Sequence, residues 1–164
     1  MSNQAAIRQR ATGLPFRRAE WELLVRLPGR VVVAAVVVAG PPAHADPARR
    51  TVAEGLAGID AIAAGRASAS RLVRDIVAAI YDEPDDDRPA GQELTLLDAC
   101  RAAGQLLAER VGRVDADAYR HWLVAIATRV CHAARTGATL GLTGQPISPA
   151  EREFLARLEA ALTG

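Results

Sequence analysis

Lysine is absent from this chain; all twenty basic residues are arginine. We take that bias as the codon usage of a GC-rich genome before any phosphate-binding role, although arginine is the better phosphate ligand. Aromatic residues are scarce, at 4% of 164. A core must therefore be built mainly from alanine, leucine, valine and isoleucine, with close helix contacts wherever alanine and glycine meet. The scarcity also removes the stacking platforms that accompany arginine in a single-strand nucleic-acid groove. Two cysteines provide neither a disulfide framework nor a zinc site. No apolar run is long enough to cross a bilayer: residues 31–40, VVVAAVVVAG, fall well short of the ~20 that a spanning helix needs.

Half the residues are hydrophobic, and the length suits one domain with a real core. The formal charge of +1 hides an asymmetry, since eight of the twenty arginines but few of the acids lie in the first fifty residues. A basic arm of this kind predicts no nucleic-acid partner.

The pattern is helical almost throughout. Residues 115–135 form the longest amphipathic stretch, with Tyr119, Trp122, Leu123, Ile126, Val130 and Ala133 at steps of three and four. One broad stripe needs several partners, so this is the expected central helix, with Asp115 capping its first turn. Residues 1–16 lack any period and read as a flexible N-terminal arm. From Arg17, Trp21, Leu24, Val25 and Leu27 mark a short helix expected to end near Pro28. Residues 31–40 suit a buried helix, a buried strand or the apolar core of a signal peptide. Arg26 and Arg30 precede that run, and Ala43-His44-Ala45 fits a cleavage site before Asp46. Against export, Glu20 and Glu22 sit in the structured-looking stretch ahead of it.

Asp46-Pro47 is an N-cap and first-turn pair, and Thr51 to Glu54 has the spacing of a capping box. Val52, Leu56, Ile59, Ile62 and Ala63 are the expected buried face of the helix that follows. Gly55 and Gly58 cost helix propensity there, a sign that another backbone passes close. Ser70 caps a further helix carrying Leu72, Val73, Ile76, Val77 and Ile80. The acidic, proline-containing stretch 82–91 is a solvated linker, without the aspartate and glycine spacing of a calcium loop. A helix from about 94 to 111 turns Leu96, Cys100, Ala103, Leu107 and Val111 inward and ends at Gly112. The last helix starts at Ser148-Pro149-Ala150-Glu151 and buries Phe154, Leu155, Leu158, Ala161 and Leu162.

Chemistry-bearing residues are few. Gly137, Gly141 and Gly144 lie between helices and lack the lysine-serine ending of a phosphate loop. The soft ligands are His44, Cys100, His121, Cys131 and His132. His121 and His132 share a helix face but stand about 16 Å apart at 1.5 Å per residue. Cys131 and His132 are adjacent and diverge by roughly 100°. No two-ligand metal spacing and no Glu-x-x-His pair is present. We assign no catalytic, cofactor-binding or metal-ligating residue and expect no cofactor.

The segment from His121 to Leu162 resembles the C-terminal region of an uncharacterised family of small all-α bacterial proteins. The likeness lies in Trp122-Leu123, Ala133-Ala134, the glycine-rich turn through Gly144, and Ile147 to Glu151. It implies a helical fold and no activity. Gly112-Arg113-Val114-Asp115 and Ser148 to Glu151 are more distantly similar to TerB-like helical domains of tellurite resistance. Such domains carry metal-binding acids; the matching acidic pair is not beside Gly112, so no site is transferred.

The expectation is a single-domain, all-α bundle of six to seven helices spanning 17–164. Its expected role is non-enzymatic: a cytoplasmic protein-interaction or self-association module in a stress-related setting, with a protein partner or its own copy. The first alternative is an exported helical protein cleaved after Ala45, in which a Cys100–Cys131 disulfide becomes testable. The second is a metal- or thiol-dependent protein, which requires Cys131 or His132 to converge with Cys100 or His121 in a pocket. The interaction reading instead requires an exposed apolar helix face and no concave polar site.

Overall fold

The computed structural model describes residues 15–40, 47–82, 94–136 and 147–164. Among the described residues there are six α-helices, one 3-10 turn and no strand, so the fold is an all-α bundle. The helices are α1 (Arg18–Ala39), α2 (Pro47–Ala64), α3 (Arg71–Asp82), α4 (Leu96–Arg110), α5 (Arg113–Thr136) and α6 (Pro149–Thr163), with the 3-10 turn Gly65–Ala67 after α2. The acidic run expected as a linker falls, after Asp82, outside the described residues, as do His44, Ala45 and the glycines at 137, 141 and 144.

Helix α5 is central, packing against each of the other five helices. Its predicted stripe is buried: Tyr119, Leu123, Ile126 and Val130 are wholly enclosed and Trp122 nearly so. The helix begins two residues earlier than its apolar pattern, after Gly112, whose carbonyl accepts the Ala116 amide. Asp115 is therefore inside the first turn. Its carboxylate accepts the Ser70 hydroxyl at 2.6 Å, and Ser70 in turn caps α3 by accepting the Val73 amide. One carboxylate thus sits at the positive ends of two helices, where both dipoles favour it. Gly112 does not end α4 in a left-handed turn: Val111 is the extended C-cap.

The expected short helix ending at Pro28 is not what forms. Helix α1 runs unbroken from Arg18 to Ala39 with Pro28 buried inside it. Proline has no amide hydrogen, so the Leu24 carbonyl loses its donor four residues on. Tyr119 supplies a replacement: its hydroxyl donates to the Leu24 carbonyl at 2.8 Å, wholly buried. The central helix therefore repairs the ladder that Pro28 breaks, and 31–39 becomes the second half of α1, with Val31 and Ala35 fully enclosed. Trp122 acts similarly on α2. Its indole N–H donates at 3.2 Å to the Ala61 carbonyl in the last turn, tying the end of α2 to the central helix.

The N-terminal arm was expected to extend through residue 16, but Phe16 is buried. Its ring packs 6.2 Å from Trp21, the fourth residue of α1, and the Glu20 carboxylate accepts the Arg17 amide at 2.7 Å. This pairing across the helix start is a hydrophobic staple, which fixes how the chain enters α1. At the other end of the chain Ser148 and Glu151 form the expected reciprocal capping box of α6.

Of the large apolar residues expected on the buried face of α2, only Ile62 is there. Glu54, Gly58, Ala61 and Ile62 point inward, while Val52, Leu56 and Ile59 point to solvent. The reason is Gly58: a β-carbon there would lie 2.5 Å from the Val32 side chain, so α2 meets α1 through a glycine. Close approach at that point sets the rotation of the whole helix. Gly104 plays the same part between α4 and α6, where a β-carbon would lie 2.5 Å from the Leu162 carbonyl oxygen.

Candidate functional site

The rotation of α2 leaves its most regularly spaced large apolar residues on the outside. Val52, Leu56 and Ile59 are 60%, 57% and 55% exposed, at i, i+4 and i+7, one ridge along the helix. On α1, Val33 and Val37 are 64% and 71% exposed, one turn apart. These two ridges share a side of the molecule. Only six residues separate Gly40 from Pro47, so α1 and α2 run antiparallel. Val32 abuts Gly58 across their interface, and one residue further on, a rotation of about 100°, turns Val33 and Ile59 the same way. Isolated exposed apolar residues are ordinary; rows of them repeating along neighbouring helices are the pattern that contact surfaces share.

Along α1, bounded by single residues near the ends of α2, α3 and α4, lies an open groove of about 580 Å³. Val33, Ile62, Ile80 and Leu96 supply its apolar wall, and Arg26 and Arg30 are its only charged lining among the described residues. Arg30 donates to the Leu94 carbonyl. Arg26 has no hydrogen-bond or ion-pair partner among the described residues. Gly29 forms part of the lining, and a β-carbon there would meet nothing within 4 Å. The same is true of Gly55 on the neighbouring helix.

A second cleft, of about 410 Å³, runs between α5 and α6. The interaction reading expects no concave polar site, and this cleft is lined by charge of both signs. Arg120 donates to the Asp117 carboxylate at 3.1 Å and to the Gly104 carbonyl at 3.4 Å, leaving its Nε buried without a partner among the described residues. His121, Arg129 and Glu159 line the rim, above a floor that includes Val124 and Leu162.

Among the described residues the soft ligands do not come together. Cys100 is buried on α4 within the main core, while Cys131 is buried on α5 with Ala35 and Val130 in a separate small cluster. The two thiols are not joined. His121 opens onto the α5–α6 cleft and His132 faces solvent. Burial pushes the Cys100 thiol up to about 11, against a weaker opposing pull from Arg30 and Arg101. It is held as a neutral thiol, the reverse of what a nucleophile needs. Among the described residues no group of three or more histidine, cysteine, aspartate or glutamate side chains is placed to hold a metal ion. No described helix is long and apolar enough to cross a membrane.

Sequence reasoning found the residues of the exposed face but assigned them to the core. The missed signal was Gly58, whose cost in a helix interior pointed to the contact face, not merely to a nearby backbone. No protein-family model, no curated protein and no solved structure matches the chain.

Proposed function

We propose that this protein is a non-enzymatic helical interaction module that works through the α1–α2 face. The observation that carries the reading is the outward ridge Val52, Leu56 and Ile59, flanked on the same side by Val33 and Val37. Burying each such side chain is worth about 1.5–3 kcal/mol, a gain that the isolated chain forgoes and that an interface recovers. The module acts inside the cell in this reading. Helix α1 places Leu24, Leu27 and Val31 at the centre of the core and accepts the Tyr119 hydroxyl, and cleavage after Ala45 would remove all of it. A stress-related role rests on the resemblance to TerB-like domains.

The test is site-specific photocrosslinking in the native cells, with the reactive group at Leu56 and a control at the exposed Arg152 on α6. A protein adduct, with self or with another chain, should form from position 56 and not from 152, and should vanish when Ile59→Glu is added. Indistinguishable patterns from the two positions refute the proposal.

A further inference from the structure

We infer that the groove along α1 docks an amphipathic helix with carboxylates along one flank, supplied by another protein. The inference rests on the reading of this face as an interaction surface and names the kind of partner.

Charge decides between a foreign helix and a second copy. The groove's charged lining is cationic, Arg26 and Arg30, and Arg26 is without a partner among the described residues. A second copy presenting the same face brings cation towards cation, as a two-fold contact repeats one surface on both sides. Carboxylates on a partner complete Arg26 and use the donors of Arg30 that Leu94 leaves over.

Shape decides for a helix. Strand addition needs an exposed sheet edge, and there is no strand among the described residues. The groove runs along α1 instead, lined at Arg26, Gly29, Arg30 and Val33, positions three and four apart on one face of that helix. That spacing matches the i, i+3, i+4 and i+7 anchors of a docked helix. Gly29 keeps the groove shallow-walled, with open space where a β-carbon would stand. Glycine inside a helix costs about 1 kcal/mol relative to alanine, and the isolated fold has no packing reason for this one. A partner backbone lying close supplies that reason.

The test uses three synthetic helical peptides with the same leucine and alanine face, flanked by glutamate, by glutamine or by lysine. Binding to the full chain is read by fluorescence anisotropy at low and high salt. The glutamate peptide should bind tightest and weaken with salt. Arg26→Glu should cost it at least about tenfold and transfer the preference to the lysine peptide, the charge swap that marks complementarity. Gly29→Leu, which fills the groove without touching the core, should abolish binding while the circular dichroism stays unchanged. Equal binding of all three peptides overturns the acidic partner. So does binding of the glutamate peptide only after Asp85, Asp86 and Asp87 are changed to asparagine, which would assign the groove to this chain's own acidic run. If no peptide binds but the Leu56 adduct is a second copy, this inference falls and the interaction module stands. If no peptide binds and no adduct forms, both fall.

Discussion

The hydroxyl of Tyr119 is predicted to substitute for the amide that Pro28 lacks, and a double-mutant cycle isolates that role. Tyr119→Phe leaves the Leu24 carbonyl buried with no donor, because position 28 has no N–H. An orphaned buried polar group costs about 1–3 kcal/mol, and at about 2–4 °C per kcal/mol for a chain of this size the melting temperature should fall by roughly 2–12 °C. In a Pro28→Ala background the amide restored at position 28 reaches the same carbonyl, so Tyr119→Phe there should cost less than about 1 kcal/mol. The expected coupling between the two positions is about 1–2 kcal/mol. Changes in the unfolded chain caused by removing proline cancel in the cycle, as both Pro28→Ala species share them. The assay is urea unfolding of all four proteins by far-ultraviolet circular dichroism, with matched slopes required before midpoints are compared. Equal costs for Tyr119→Phe in the two backgrounds would refute the argument: the hydroxyl would then be only a polar tip in a core, unrelated to the broken ladder.

Other positions give sharper contrasts. Leu56→Glu with Ile59→Glu should change stability by less than about 1 kcal/mol, as substitutions at exposed sites do, whereas Ile126→Ala on α5 should cost about 2–5 kcal/mol; a collapse of the first variant would place α2's apolar ridge back in the core. Gly29→Ala and Gly55→Ala should stabilise by up to about 1 kcal/mol, while Gly104→Ala should destabilise, because its β-carbon meets the Leu162 carbonyl; thermal melts of the three decide. Stability should fall in alkali. The folded chain keeps the Cys100 thiol protonated up to about 11 against an ordinary 9.0, and burial holds the Tyr119 phenol well above its ordinary 10.0. The unfolded chain therefore binds fewer protons in that range, and the contribution present below pH 9.0 is lost as the pH rises through about 11. Cys100→Ala should flatten that part of the profile, and an unchanged slope would count against it. Alkylation of Cys100 at neutral pH should be slow in the native protein and fast in urea, read by intact mass.

Much of the fold could be read from residue spacing because helix signals are local. Ser70, Ser148 with Glu151, and the stripe from Tyr119 to Val130 each act within a few residues of themselves, and each appears where spacing places it. The all-α class and the central place of α5 follow from such signals, since a stripe that broad needs neighbours on several sides. The candidate site was harder to read. Spacing identifies which residues of α2 share a face, but two faces of that helix are apolar or small, and periodicity does not say which one the core takes. The choice was made by the fit of Gly58 against Val32, a contact between residues 26 apart in sequence. Pro28 is the same lesson at the backbone. Its local chemistry ends a helix, and only a hydroxyl from a residue 91 positions away, held at the Leu24 carbonyl by the packing of α5 on α1, lets the helix continue. Local order along the chain dictates the helices, their caps and their apolar stripes, because those depend on neighbours within one or two turns. Long-range packing chooses which stripe of α2 stays outside and which broken hydrogen bond is repaired, because both depend on atoms that only the folded chain brings together.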